Sequence, residues 1–170
     1  MSALPVLLER WQLLAPEQRN AVLQLHIPPE QVEFAGSIER AVAACEAGTP
    51  LEVAGLAILQ GQRVVGFVVL SRGSKLPSWA PPESAALTAM RIDSREQGKG
   101  LGKASLALAT SWLRRHWSDI ATLALCVDEH NNAGRRAYAA AGFSEYTEPK
   151  PGRIGVVRYL SMSLHSAGEA

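Results

Sequence analysis

The apolar positions of this chain change period along its length, and the changes mark its elements. Val53 to Gln60 and Arg63 to Leu70 are apolar runs of strand length on either side of Gly61-Gln62, a turn signal, and they predict a β-hairpin. The second run is nearly continuous through Val64, Val65, Phe67, Val68, Val69 and Leu70, as in a strand covered on both faces. Ala85 to Ile92 and Thr122 to Val127 read as further buried strands. Between them, Leu101 to about His116 places Leu101, Ser105, Leu108 and Trp112 on one helical face and Leu106, Ala109 and Leu113 on its neighbour, a width that suits a helix lying across a sheet. Ser37 is a good N-cap for a helix carrying Ile38, Ala41, Val42 and Cys45 on one side, and Gly48-Thr49-Pro50 ends it. Pro16 opens an earlier helix that runs to about Leu25. For Pro5 to Leu14 the period decides between neither strand nor short helix. Asn132 to Ala141 reads as a helix closed by Gly142. Phe143 to Thr147 and Val156 to Leu164 read as two closing strands joined by a turn at Pro149-Lys150-Pro151-Gly152. Hairpins at both ends and alternating strands and helices in the middle predict one mixed α/β domain over residues 1–170, with helices against the faces of its sheet.

The strand 85–92 leads into Arg91-Ile92-Asp93-Ser94-Arg95-Glu96-Gln97-Gly98-Lys99-Gly100-Leu101-Gly102-Lys103, a glycine-rich turn that opens the long helix. Glycines at alternate positions let a ligand approach the backbone, because no Cβ stands in the way. The first amides of a helix have no partner inside it, and with the helix dipole they form an anion site suited to phosphate. Two common phosphate loops are excluded by spacing. A Walker A loop would need glycine at Gln97 and Ser or Thr at Ala104. The dinucleotide fingerprint G-x-G-x-x-G would need glycine at Lys103.

The spacing present is Q-x-x-G-x-G, read as Gln97-Gly98-Lys99-Gly100-Leu101-Gly102. It resembles the acyl-CoA pyrophosphate loop of the GNAT superfamily of N-acyltransferases. A second stretch, Asn131 to Phe143, is similar to that family's N-x-x-A-x-x-x-Y-x-x-x-G-F, with Asn131, Tyr138 and Gly142-Phe143 in register. Gly134 departs from it, standing where the family has alanine, and would weaken the helix start by about 1 kcal/mol. Two motifs in order, separated by a helix and a strand, extend the resemblance over nearly the whole chain.

The resemblance implies a mostly antiparallel sheet of about six or seven strands, with strands 85–92 and 122–127 splayed apart to admit acetyl-CoA. It implies that pantetheine pairs with backbone near Met90, Arg91 and Ile92, and that the pyrophosphate lies on Gln97, Gly98, Lys99, Gly100, Leu101, Gly102 and Lys103. Asn131 would help hold pantetheine, and Tyr138 would stand near the sulfur as the acid that protonates departing CoA. An amine would attack the thioester directly in a ternary complex. A base must first free that amine of its proton. Glu83, just before the central strand, is the carboxylate nearest in sequence, Asp128 and Glu129 are its rivals, and ordered water is the alternative. Lys99 and Lys103 could neutralise phosphates, while Arg95, Arg135 and Arg136 are candidates for the CoA 3′-phosphate.

Pro29-Glu30-Gln31, Phe34 and Met90-Arg91-Ile92-Asp93 look similar to a bacterial branch containing polyamine (spermidine) acetyltransferases. A polycation should meet converging carboxylates, and Glu30, Glu33, Glu83, Asp128, Glu129, Glu145 and Glu148 are available. The acceptor read from this is a small primary amine, with a protein or peptide amine, or a non-catalytic acyl-CoA sensor, as the alternatives. Trp79, in the Pro- and Ser-rich loop 71–84, could touch the acceptor or simply pack.

Charge narrows the partners. A net charge of +1 without aromatic-basic interleaving points away from nucleic acid. No apolar run reaches membrane-spanning length, and Pro5 and Glu9 interrupt the first one, so no membrane partner or secretory signal is expected. Cys45 and Cys126 lack C-x-x-C spacing and read as reduced cytoplasmic thiols, Cys126 as a small core residue. The four scattered histidines form no metal-ligand spacing, so no metal is expected. Exposed sheet edges leave room for a homodimer.

Overall fold

The computed structural model describes residues 4–29 and 36–165. Its elements in chain order are β1 (Val6–Arg10), α1 (Pro16–Leu23), α2 (Ile38–Ala47), β2 (Val53–Gln60), β3 (Arg63–Ser71), β4 (Ala85–Ile92), α3 (Leu101–His116), β5 (Thr122–Asp128), α4 (Asn132–Ala141), β6 (Ser144–Glu145), β7 (Lys150–Pro151) and β8 (Val156–Ser163). Among the described residues the sheet has eight strands, ordered β1-β2-β3-β4-β5-β8-β6, with β7 also bonded to β8. Every pairing is antiparallel except β4 with β5. This is the mixed, mostly antiparallel sheet expected. It has more strands than the expected six or seven because β6 and β7 are two residues each.

Residues with strand periodicity bury both faces. Val68 and Leu70 of β3 join a core under α3 and α4 with Leu56, Leu106, Leu113, Leu123 and Leu125. Phe67 and Val69, pointing the other way, join Ala41, Val42 and Cys45 of α2 and Val22 of α1. The continuous apolar run thus marks a central strand, as its pattern predicts. The hairpin turn lies at Gly61, whose φ of +64° suits a tight β-turn. The Ser37 side chain caps α2, accepting the Arg40 N–H at 3.2 Å.

Four boundaries differ from the sequence reading. Pro5 to Leu14 is both a strand, β1, and a single helical turn at Trp11–Leu13. α1 stops at Leu23 instead of Leu25. The strand expected over Phe143 to Thr147 is only Ser144–Glu145, because Phe143 turns into the core beneath α4. The turn expected at Pro149 to Gly152 contains Lys150–Pro151, which pair with Val157 and Val156. The stretch Glu30-Gln31, with Glu33 and Phe34, lies outside the described residues.

The end of β4 is tied to the segment between α1 and α2. Arg91, 1% exposed, donates to the Gly36 and Ser37 carbonyls. Ser94 N–H donates to the His26 carbonyl at 2.8 Å. Asp93, 3% exposed, accepts from His26 N–H at 2.8 Å, Arg95 N–H at 2.9 Å, and the Arg95 guanidinium twice at 2.8 Å. The Arg95 guanidinium, helped by the two amides, holds the Asp93 carboxyl well below the usual carboxylate range. Such a group adds stability above its unfolded pKa, about 3.9, and loses it as pH falls toward the folded value. Urea stability should therefore decline as pH drops below about 4. Asp93→Asn should lose about 2–3 kcal/mol at neutral pH and lack that component of the acid decline, measured by urea unfolding across pH.

Candidate active site

β4 and β5 form a fork. They pair only through Ala85 with Leu123 and Ala86 with Ala124. Beyond that vertex, Leu87 to Ile92 and Leu125 to Asp128 share no ladder, though β3 and β8 bond their outer sides throughout. A bulge gives the cause. Val69 pairs with Ala89 and Leu70 with Leu87, so Thr88 is an extra residue on β4. A bulge bends its strand and sharpens the twist, which turns β4 away from β5. The inner edges of the fork are rows of backbone donors and acceptors without ladder partners.

The mouth of the fork meets the glycine loop. Asp93 accepts the Arg95 N–H and starts a single helical turn, Ser94–Glu96. The Gln97 side-chain amide donates back to the Ile92 carbonyl at 3.0 Å and braces the loop against β4. Gly98 and Gly100 have φ values of +82° and +77°. Gly100 is the N-cap of α3 and supplies no side chain, and Ala104 N–H to Gly100 O at 3.1 Å closes the first turn. The amides of Leu101, Gly102 and Lys103 therefore point out of the helix without intrahelical acceptors. Leu101 is buried beside Ile58 and Val65 and fixes the helix start on the sheet.

The glycines leave space that no protein atom uses. A Cβ on Gly98 or Gly100 would meet nothing within 4 Å, and one on Gly102 would meet only the Met90 Cε at 3.9 Å. Gly102 has ordinary helical φ, and glycine in a helix costs about 1 kcal/mol relative to alanine. Neither backbone conformation nor packing asks for glycine there. A ligand pressed against the helix N-terminus does, so these residues fit a pyrophosphate.

Charges surround the loop in fixed pairs. Glu96 is buried and holds Lys99 at 2.9 Å on one oxygen and Arg63 on the other. Those two cations depress its pKa, Arg63 first. Lys103 is exposed on the first turn of α3.

On α4, Asn131 is the N-cap, its Oδ1 accepting the Gly134 N–H at 3.0 Å. A Cβ on residue 134 would stand 2.6 Å from the Asn131 Nδ2, so alanine there would require the Asn131 amide to shift. Tyr138 is half-buried, packed on the core beneath α4 and edge-on to Phe143 at 5.8 Å. Burial, and secondarily Cys126, raise its pKa. The cluster it packs on includes Leu123, Leu125 and Val127 of β5.

Cys126 corrects the sequence reading. It is exposed, not a core residue. Strand alternation puts it on the face of Ala124, opposite Leu125 and Val127, and past the vertex β4 no longer lies beside it, β8 alone pairing with it through Tyr159. Around that face stand Trp79, 5.8 Å from the Tyr159 ring, and Tyr146, which donates to the Trp79 carbonyl at 2.7 Å. Glu83 precedes the vertex residue Ala85 by two positions. It lies in an exposed left-handed turn, φ +66°, three residues before Ala86. Among the described carboxylates, Glu129 and Glu145 meet on Arg158 at 2.8 Å each, and Asp128 accepts the His130 N–H. Among the described residues, no three His, Cys, Asp or Glu side chains come together to hold a metal, and no helix is long and apolar enough to cross a membrane.

The pattern of the acetyltransferase (GNAT) family matches residues 19–143, most of the chain. The chain belongs to the GNAT acetyltransferase family. Solved structures of similar fold include the ribosomal-protein alanine N-acetyltransferase of Escherichia coli, 20% identical over 97% of each chain with a TM-score of 0.67. An aminoglycoside acetyltransferase in complex with coenzyme A is 14% identical over 94% of this chain and 95% of its own, TM-score 0.71. A chimera of the Vibrio cholerae spermidine N-acetyltransferase SpeG and hSSAT is 16% identical over 94% and 95%, TM-score 0.72. At these identities the likeness is one of fold. No curated protein matches the chain in sequence.

Within this GNAT chain, both motifs quoted from the sequence flank one fork, the loop at its mouth and α4 beside β5. Sequence reasoning missed Arg63, which the β2–β3 hairpin carries to the loop from 33 positions away. It also missed Tyr146 and Tyr159 on the Cys126 face, since neither belongs to a motif. Gly102→Ala separates ligand binding from folding. The variant should be as stable as the parent or up to about 1 kcal/mol more so. Its affinity for CoA should fall by about tenfold or more, measured by calorimetry beside a thermal melt.

Proposed function

We propose that this chain transfers the acetyl group of acetyl-CoA to the primary amine of a small molecule, by direct attack in a ternary complex. One observation carries this reading: two strands joined only at Ala85–Ala86 and Leu123–Ala124 open toward a loop of unpaired amides. Such a fork offers a pantetheine arm a strand edge at Met90–Ile92. The amides from Gln97 to Lys103, with the Lys103 ammonium, suit the diphosphate. Asn131, already the cap of α4, flanks the arm from the β5 side.

The chemistry follows from the groups along that path. The thioester carbonyl, near the vertex, gains negative charge as nitrogen adds, and a backbone N–H of the bulged strand that β5 leaves unpaired would stabilise it. The C–S bond then breaks, and sulfur takes the electron pair. A free thiol has a pKa of about 8.5, so the thiolate is a tolerable leaving group that gains from a donor. Tyr138 supplies one. A phenol is protonated at neutral pH at its ordinary pKa of about 10, and burial, which raises that pKa, keeps Tyr138 a hydrogen-bond donor to the sulfur whose proton water replaces. The proton of the incoming ammonium leaves through water, and Glu83, exposed beside the vertex, is the carboxylate we assign to receive it.

The acceptor approaches on the Cys126 face. There the rings of Trp79, Tyr146 and Tyr159 cluster, and Glu129 and Glu145 are engaged by Arg158, so a small amine fits better than a long polycation. Free-thiol release from acetyl-CoA, measured against small primary amines, polyamines and peptides with free N-termini, should show turnover with small amines. Turnover with peptides alone would move the acceptor to proteins. CoA binding with no turnover on any amine would leave a sensor instead. In the active reaction, Tyr138→Phe should lower kcat by about 10- to 100-fold with KM for acetyl-CoA within about twofold. An unchanged kcat would remove Tyr138 from proton donation.

A further inference from the structure

Resting on the acyl-CoA reading above, we propose that Arg63 and Lys99 together seat the 3′-phosphate of CoA, and that Glu96 positions both. Arg63 is the first residue of β3, and the Val65 carbonyl two positions on accepts the Asp93 N–H at 2.9 Å, so the start of β3 abuts the start of the glycine loop. Glu96 bridges the two cations, one oxygen to Arg63 and the other to Lys99 at 2.9 Å. Its side chain is 11% exposed, whereas those of Arg63 and Lys99 are 57% and 58% exposed. The carboxylate is thus a sunken link, and two cationic heads stand above it in solvent. The Gln60 side chain holds the second arm of the Arg63 guanidinium at 3.2 Å.

Ion pairs this exposed contribute little to stability. Their effect here is electrostatic and positional. Two cations on one carboxylate leave one net positive charge, fixed beside amides that also favour an anion. The division of labour follows from the ligand. Each phosphate of the diphosphate bridge carries a single charge and suits amides at a helix N-terminus. The 3′-phosphate is a monoester with close to two charges at neutral pH, and a guanidinium fork matches it.

Of the guanidinium groups that the sequence offered, two are engaged elsewhere and the third, Arg136, stands away from the glycine loop on the flank of α4. Arg95 closes its fork on Asp93 through Nε and Nη2, each at 2.8 Å. Arg135 donates to the Glu129 carbonyl and, with Arg136, lines a cavity of about 360 Å3 on the flank of α4. The other walls of that cavity include Phe143, Glu145, Arg158 and Leu160, and none of its lining residues belongs to the glycine loop. Arg63 is the guanidinium that the fold brings to Lys99.

Calorimetric Kd values for CoA and for 3′-dephospho-CoA test this, on the parent, Arg63→Ala, Arg63→Lys and Arg136→Ala, with thermal melts to establish that each is folded. The parent should prefer CoA by about tenfold or more, the size of one charge-assisted contact. Arg63→Ala should bring that ratio to about one while leaving the dephospho-CoA Kd within about twofold, Arg63→Lys should restore part of it, and Arg136→Ala should keep it. The proposal is overturned if Arg63→Ala keeps the preference, or weakens both ligands equally as a mere brace of the loop would. It is also overturned if Arg136→Ala abolishes the preference, or if the parent binds both ligands alike, an outcome that leaves the acyl-CoA reading standing. A folded parent that binds neither ligand would instead sink the acyl-CoA reading itself.

Discussion

The active site depends on a strand that is hydrogen-bonded on one side only. β4 is zipped to β3 along its length, yet its other edge meets β5 at two residue pairs and then departs. Each residue past the vertex keeps the donor and acceptor that every peptide carries, and in a continuous sheet those would be consumed by the neighbour. The bulge at Thr88 is the smallest change that produces this result. It adds one residue to one strand, bends it, and leaves the outer ladder intact on both sides of the defect. The buried alanines at the vertex let the strands come together there before they part.

A loop of unpaired helix-start amides set above buried carboxylates presents an electrostatic problem. Asp93 and Glu96 both lie under the loop, and both are nearly buried. Unpaired, they would repel a phosphate and pay a large desolvation penalty. Each is instead matched by cations whose heads face solvent: Asp93 by Arg95, and Glu96 by Arg63 and Lys99. The loop is therefore fixed in shape by its carboxylates while its surface keeps a positive bias. Asp93 also bonds the backbone of His26, so the glycine loop and the start of the α1–α2 connection are parts of one hydrogen-bonded unit.

The two faces of β5 do different work. Leu123, Leu125 and Val127 seal the core against α3 and α4, while Ala124 and Cys126 look the other way, toward Trp79, Tyr146 and Tyr159. The loop 71–84 supplies Trp79 to this wall, and the Tyr146 hydroxyl pins it there through the Trp79 carbonyl. Residues chosen for packing thus also shape the approach to the fork.

Much of this was legible in the order of residues. The hairpin about Gly61, the limits of β4, α3 and α4, and the glycine loop before α3 all rest on local signals: apolar period, proline and glycine punctuation, caps, and spacing within a few positions. Local signals survive in a linear string because the chemistry that produces them acts between near neighbours. Three things did not survive. The exposure of Cys126 depends on which strand fails to lie beside it. The brief strands β6 and β7 exist only because β8 is there to pair with them. The approach of Arg63 to Glu96 depends on a hairpin laying its turn beside a loop 33 positions further on. Periodicity within each segment decided what would be buried; the pairing of distant strands, where backbone groups must find partners across the fold, decided where the sheet would open and which charges would gather at the opening.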